Sequence, residues 1–277
     1  LGLDFTWYKS NSIDQLTAVA VSDATGYSTI VANAGEIENK GFEIMLDAQP
    51  IKTNDFRWDI KLTYSRNKNK VVSIIEGSDE LIIDSQFGYA GSSATLKLIP
   101  GMAYGNIYGT SWMRYGDSGS PFVEKDKPML IQNGTGSVTQ DGFPVRNTDP
   151  NQKILGNTQP KWIGGISNTF TYKNLSLYVL FDTRQGLQKY NQFANFMAAF
   201  GTAKYTENRT ESRVFNGVLA NGQPNTQTVY LGQGIGPDGK DYTDGYYRNL
   251  FRGVTEEFVE DASWIRLRSL SLSYSVP

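Results

Sequence analysis

The residues best suited to chemistry lie late in the chain, where Glu256, Glu257, Glu260 and Asp261 gather just ahead of an alternating run. Paired carboxylates can hydrolyse glycosides, but their separation decides the outcome, and a sequence does not give it. The four are expected on a solvated loop. Histidine and cysteine are absent. That removes the usual general base and the commonest metal ligand, and with them a Ser-His-Asp triad, a disulfide framework, a thiolate zinc site and a cysteine nucleophile. Gly234-x-Gly236-x-x-Gly239 matches the dinucleotide fingerprint as a string. Pro237 lies inside it and no strand-to-helix context surrounds it, so it reads as a loop turn. No enzyme, cofactor or metal is expected.

A second set of residues is suited to binding rather than reaction. Tyr104, Tyr108, Trp112 and Tyr115, then Tyr242, Tyr246, Tyr247 and Phe251, lie among Gly, Asn and Asp in two long polar segments. Flat aromatic faces beside amides and carboxylates suit glycans and peptides alike, by stacking plus hydrogen bonds. Tyr104, Tyr108, Trp112, Tyr115, Tyr246 and Tyr247 are the candidate substrate contacts. The plainer reading is that these rings pack the loops against each other or against a partner.

The elements that must carry these loops are strands. Phe42, Ile44, Leu46 and Ala48 alternate with Glu43, Met45, Asp47 and Gln49, the period of a half-buried β-strand. Leu1 to Tyr8 alternates in the same way. From Phe56 to Arg66 the apolar face reads Phe56, Trp58, Ile60, Leu62, Tyr64, with aromatics at both ends and aliphatics between, the girdle order of a lipid-facing strand. Trp162 to Tyr172, Leu175 to Asp182 and Trp264 to Tyr274 complete the set. In the last of these the phase slips near Arg268, which predicts a bulge or a part standing above the bilayer. A weaker strand is expected at Ile13, Leu16, Val19 and Val21, and a helical patch at Phe193 to Phe200.

The connections alternate in length: about 9–35 long, 50–55 short, 76–161 long, 173–174 short, 183–262 long. Outer-membrane barrels alternate short periplasmic turns with long outer loops; a Greek-key sandwich has no reason to. The parity holds with six spanning strands, or with eight if 76–161 hides two. Among 277 residues, 39% hydrophobic and 13% aromatic, no apolar stretch approaches the length of about 20 that a membrane helix needs. A net charge of −2 suggests no nucleic-acid partner.

Three stretches resemble the SusC/RagA family of TonB-dependent outer-membrane transporters. Asn33, Gly35, Asn39, Gly41 and Glu43 match its Asn-x-Gly-x-x-x-Asn-x-Gly-x-Glu signature, and ILGNTQPKWIGG from Ile154 and DASWIRLRSLSLSYSVP from Asp261 follow in the family's order. The resemblance implies an all-β fold: an antiparallel transmembrane β-barrel segment, residues 1–277, belonging to a barrel of about 22 strands closed by a plug. It implies an outer-membrane location and import of oligosaccharides or oligopeptides. The implied partners are a SusD-like surface lipoprotein and, through a plug and TonB box not found in these residues, TonB. Family members often carry an Asp-x-Asn-x-Asp-Gly run, which QDGFPVRNTDPN from Gln140 lacks, so no metal is expected there. The chain opens in mid-alternation at Leu1 and is expected to be part of a longer protein, with strands before and after it. A passive porin-like channel and a soluble carbohydrate-binding β-sandwich remain as alternatives.

Overall fold

The structure is a computed structural model that describes residues 1–13, 16–20, 29–33, 35–86, 88, 93–149 and 152–276, with 16–20 and 29–33 as backbone only. Six long strands, numbered here in chain order, form one antiparallel sheet. They are β1 (Gly2–Ser12), β2 (Glu36–Lys52), β3 (Phe56–Ser73), β4 (Trp162–Tyr172), β5 (Leu175–Gln185) and β6 (Trp264–Tyr274). Spatial order follows chain order throughout. Among the described residues the six-strand count holds, and the 76–161 segment adds none to this sheet.

Register explains why alternation in one strand matches the next. Leu3 stands opposite Leu46, Leu46 opposite Leu62, Leu62 opposite Ile166, Ile166 opposite Phe181, and Phe181 opposite Leu267. Directly opposed residues share a face, so one apolar row crosses all six strands. Large side chains on this face stay exposed, Leu3 at 71% and Leu272 at 68%. Two aromatic rows bound it. Phe5, Phe42, Tyr64 and Trp162 stack in sequence with centroids 6.3, 5.8 and 5.6 Å apart. Lower down, Trp58 stacks on Phe170 at 5.8 Å, and its indole N–H donates to Asn168 Oδ1 at 3.0 Å. Phe56 to Tyr64 is nine residues, against the 9–11 or so of a tilted spanning strand.

The opposite face is polar and internally paired. Lys61 Nζ lies 3.6 Å from Asp47, Gln49 donates to Asp59 at 2.7 Å, and Asp182 accepts two bonds from Arg266 at 2.8 and 2.9 Å.

The two short turns lie side by side, because Lys173 N donates to Asp55 O at 2.8 Å. At the other end Val71 of β3 exchanges backbone bonds with Gly101 and Met102. Gly101 and Met102 lie in the turn between strands 94–98 and 106–109 of a four-stranded sheet, built from 153–157, 106–109, 94–98 and 81–86 in that spatial order. Gln188–Tyr190 pairs with Val259–Asp261 just above the β5–β6 pair. Both long segments therefore sit opposite the turns, as the connection lengths predict. They share one core, in which Trp112, Ile131 and Phe143 pack with Phe215, Val229, Leu231, Tyr246 and Val254.

The slip in β6 is a bulge. Leu180 faces Ser269 while Phe181 faces Leu267, so Arg268 is the extra residue. Strand bounds differ from the alternation at the upper ends: β3 runs past Arg66 to Ser73. Beyond that point Asn67, Lys68, Asn69 and Lys70 are polar on both faces, so no period marks them. The weaker early strand is a hairpin pairing 16–20 with 29–33, and Val21 lies outside the described residues. The expected helix is present as α1 (Gln192–Ala199).

Candidate functional site

Above the sheet, the two long segments enclose a cavity of about 430 Å³. Its walls include Trp112, Tyr205, Phe215, Tyr246, Tyr247 and Phe251, with Arg213, Glu257 and Glu260 among the polar residues. The first segment contributes Trp112 through the short strand Ser111–Trp112, paired with Arg146–Asn147. Just before it, Thr110 Oγ1 donates to Gly253 O at 2.8 Å and accepts from Thr255 N at 2.9 Å, which ties the segments together.

Two adjacent glutamates then grip Trp112. Glu256 accepts the Trp112 backbone N–H at 3.1 Å, and Glu257 accepts its indole N–H at 2.5 Å. Arg114 Nη2 donates to Glu256 at 2.5 Å. Burial pushes the Glu256 carboxyl up from the ordinary glutamate range, with the Arg114 guanidinium and the Trp112 N–H pulling it back. The expectation of a solvated acidic loop is therefore corrected at Glu256. A short helical turn, Thr255–Phe258, rolls that one side chain inward while Glu257 and Glu260 stay exposed.

The second segment supplies most of the aromatic wall. Tyr246, Tyr247 and Phe251 contact one another with centroids 5.1 to 5.7 Å apart, and Tyr205 joins Phe251 at 5.8 Å. Tyr247 Oη donates to Asn208 Oδ1 at 2.7 Å. Burial pushes the Tyr246 and Tyr205 hydroxyls above the tyrosine range, and the Glu257 charge pushes the same way. Arg213 lies over the Phe215 ring at 4.4 Å. Glu260 accepts from Asn191 Nδ2 at 3.1 and 3.2 Å, and Asn191 Oδ1 caps α1 by accepting from Ala194 N at 2.9 Å.

Of the six candidate contacts, Trp112, Tyr246 and Tyr247 come together at this cavity. The other three lie elsewhere. Tyr104 packs on the Val71, Leu81, Leu98 cluster, and Tyr108 is buried with the Lys97 ammonium 5.7 Å from its ring. Tyr115 is exposed beside Gly222. Tyr205, Arg213 and Phe215 carry no periodic signal, and only their nearness in space reveals them. The glycine string at 234–239 is a turn, closed by Gly236 N to Lys240 O at 2.8 Å. Within the run from Gln140, the Asp141 carboxylate accepts from Thr135 N, Thr135 Oγ1 and Gly136 N, which closes its own loop.

No protein-family model matches the chain. TonB-dependent receptor P3 of Formosa agariphila is 28% identical over 100% of the chain, which covers 25% of that protein. TonB-dependent receptor SusC of Bacteroides thetaiotaomicron is 22% identical over 99% of the chain and 24% of its own length. The chain thus spans about a quarter of these relatives. In three dimensions the RagAB peptide transporter matches 99% of the chain and 27% of its own, with a TM-score of 0.60 at 17% identity. The same importer in its closed-closed state gives 0.56 at 18% identity. The likeness to SusC/RagA proteins extends over nearly the whole chain, and the fold is that of an antiparallel outer-membrane barrel wall.

Proposed function

We propose that residues 1–277 form part of the barrel wall and outer loops of a SusC/RagA-type, TonB-dependent importer, taking up oligosaccharides or oligopeptides with a SusD-like surface lipoprotein. The observation that supports this most is the apolar row from Leu3 to Leu267 across six strands. A soluble sandwich would cover such a face with a second sheet; here the face is exposed and bounded by aromatic rows. Lipid is the medium that suits it. SusC and the RagAB transporter supply the comparison for import, and RagAB is named for peptides. Trp112, Tyr246 and Tyr247 are the proposed substrate contacts. Tyr104, Tyr108 and Tyr115 serve by packing the loops that hold them.

The test is uptake by cells carrying the protein at its full native length, with and without TonB. Uptake of a labelled oligosaccharide or oligopeptide that stops without TonB fits the proposal. Uptake that continues unchanged without TonB would instead make the protein a passive channel.

A further inference from the structure

We infer that the cavity at Trp112 binds an organic cation, a guanidinium or ammonium group on a flexible chain. This concerns the ligand class of the importer proposed above and rests on that reading only for the side from which the ligand arrives.

Charge decides the class. Three carboxylates stand near the cavity, and Glu256 is neutralised by Arg114. Glu257 and Glu260 line it and make no ion pair among the described residues; their partners are the neutral Trp112 indole and the neutral Asn191 amide. Among the described residues one cation, Arg213, lines the cavity and is held against the Phe215 ring at 4.4 Å. The wall therefore carries two negative charges against one positive. Lys189 stands opposite Glu260 in the strand register, and its side chain is not part of the lining.

Aromatic faces complete the site. A cation gains from the negative face of an aromatic ring, most where water is partly excluded, and Tyr205, Tyr247 and Phe251 offer such rings beside the two carboxylates. Arg213 on Phe215 shows the same pairing already made in this wall. A neutral sugar would use the rings and leave the net charge unanswered. The volume of about 430 Å³ lies in the range of about 300–1,000 Å³ for small-ligand sites. Tyr205 and the two glutamates line the cavity and are themselves exposed, so a side chain can reach them from solvent.

The test is calorimetric titration of the protein at its full native length, purified in detergent, with four probes: Gly-Arg-Gly and Gly-Gln-Gly, both N-acetylated and C-amidated so that only the arginine carries charge, spermidine and maltotriose. Binding of Gly-Arg-Gly or spermidine, and not of the two neutral probes, supports the inference. Whichever cation binds more tightly identifies the source as a peptide side chain or a free amine. The double variant Glu257→Gln/Glu260→Gln keeps an acceptor for Trp112 and for Asn191 while removing both charges. It should weaken the cation by about tenfold or more. Arg213→Gln should tighten it, which guards against loss through misfolding. Equal binding of Gly-Gln-Gly or maltotriose, no binding of either cation, or indifference to both variants would overturn the inference. None of these readouts involves TonB, so failure here leaves the import proposal standing, and failure of import leaves this result standing.

Discussion

Tyr8 of β1 and Gly41 of β2 stand directly opposite each other, and the tyrosine occupies the space a side chain at Gly41 would need. A Cβ on Gly41 would lie 2.7 Å from Tyr8 Oη and 2.2 Å from the Arg66 carbonyl oxygen. Tyr8 Oη donates to Asn67 Oδ1 at 3.2 Å, and Asn67 Nδ2 donates to Asn39 Oδ1 at 3.0 Å. The Asn39-x-Gly41 part of the signature is thus a packing device on the polar face, coupling three strands. Gly41→Ala should cost about 1–3 kcal/mol through overpacking. Gly2→Ala, whose Cβ would meet only Asp47 Cβ at 3.8 Å, should be silent. The folded fraction on urea titration in detergent measures both; equal effects would refute the packing role.

The Arg114–Glu256 pair predicts a different kind of loss. Both side chains are more than nine-tenths buried, and removing one partner of a buried pair leaves an uncompensated charge, at about 3–5 kcal/mol. Glu256→Ala should undock the segments at Trp112 and raise protease sensitivity near residues 110–114. Glu257→Ala should do less, since Glu257 is exposed and, among the described residues, accepts only the indole bond. Proteolysis followed by mass spectrometry reads this, and equal sensitivity in the two variants would contradict it.

A third prediction concerns pH. The backbone N–H of Ser118, then Lys127, then the Ser118 hydroxyl hold the Glu124 carboxyl down at about 2. A carboxylate with a depressed folded pKa contributes stability above its unfolded pKa, near 4.3, and loses it as pH falls through the folded value. The 118–127 loop should therefore stay closed to about pH 3 and open near 2. An NMR titration of Glu124 should give a midpoint near 2, moving partway up in Ser118→Ala. A midpoint in the ordinary glutamate range would contradict the loop geometry.

The bulge in β6 makes a fourth prediction. Deleting Arg268 joins Ile265 and Leu267 to Leu270, Leu272 and Tyr274 in one unbroken alternation, so both halves keep their apolar side chains on the same face. Deleting Ser271 instead turns Leu272 and Tyr274 to the polar face, since a one-residue slip flips a strand. Heat-modifiable migration should survive the first deletion and fail with the second. The same outcome for both would remove the face assignment of β6.

These contrasts show why some of the structure is legible in the residues. The spanning strands are bordered by two different media, so alternation writes their faces into the sequence, down to the phase slip at Arg268. The turns read at 50–55, which the structure narrows to 53–55, and at 173–174 are short and polar between such runs, which fixes their side of the molecule. The loops have no such border. Glu256 and Glu257 are adjacent and identical, yet one is buried and one exposed, because the turn of Thr255–Phe258 and the distant Arg114 decide it. Trp112 and Tyr246 meet across more than a hundred residues of chain, and only composition hinted at them.

In the proposed barrel the row from Leu3 to Leu267 faces lipid and the Asp47–Lys61 face meets water. Residues 1–277 contain no cysteine, so single cysteines introduced here have no local background once any cysteine elsewhere in the full-length protein is replaced by serine. Spin labels at positions 58 to 62 of the protein at full native length, reconstituted in bilayers, report relaxation by oxygen, which partitions into lipid, and by a water-soluble nickel chelate. Period-two alternation is expected, with Trp58, Ile60 and Leu62 positions favouring oxygen and Asp59 and Lys61 positions favouring nickel. Uniform nickel accessibility at all five positions, or alternation in the opposite phase, would contradict it.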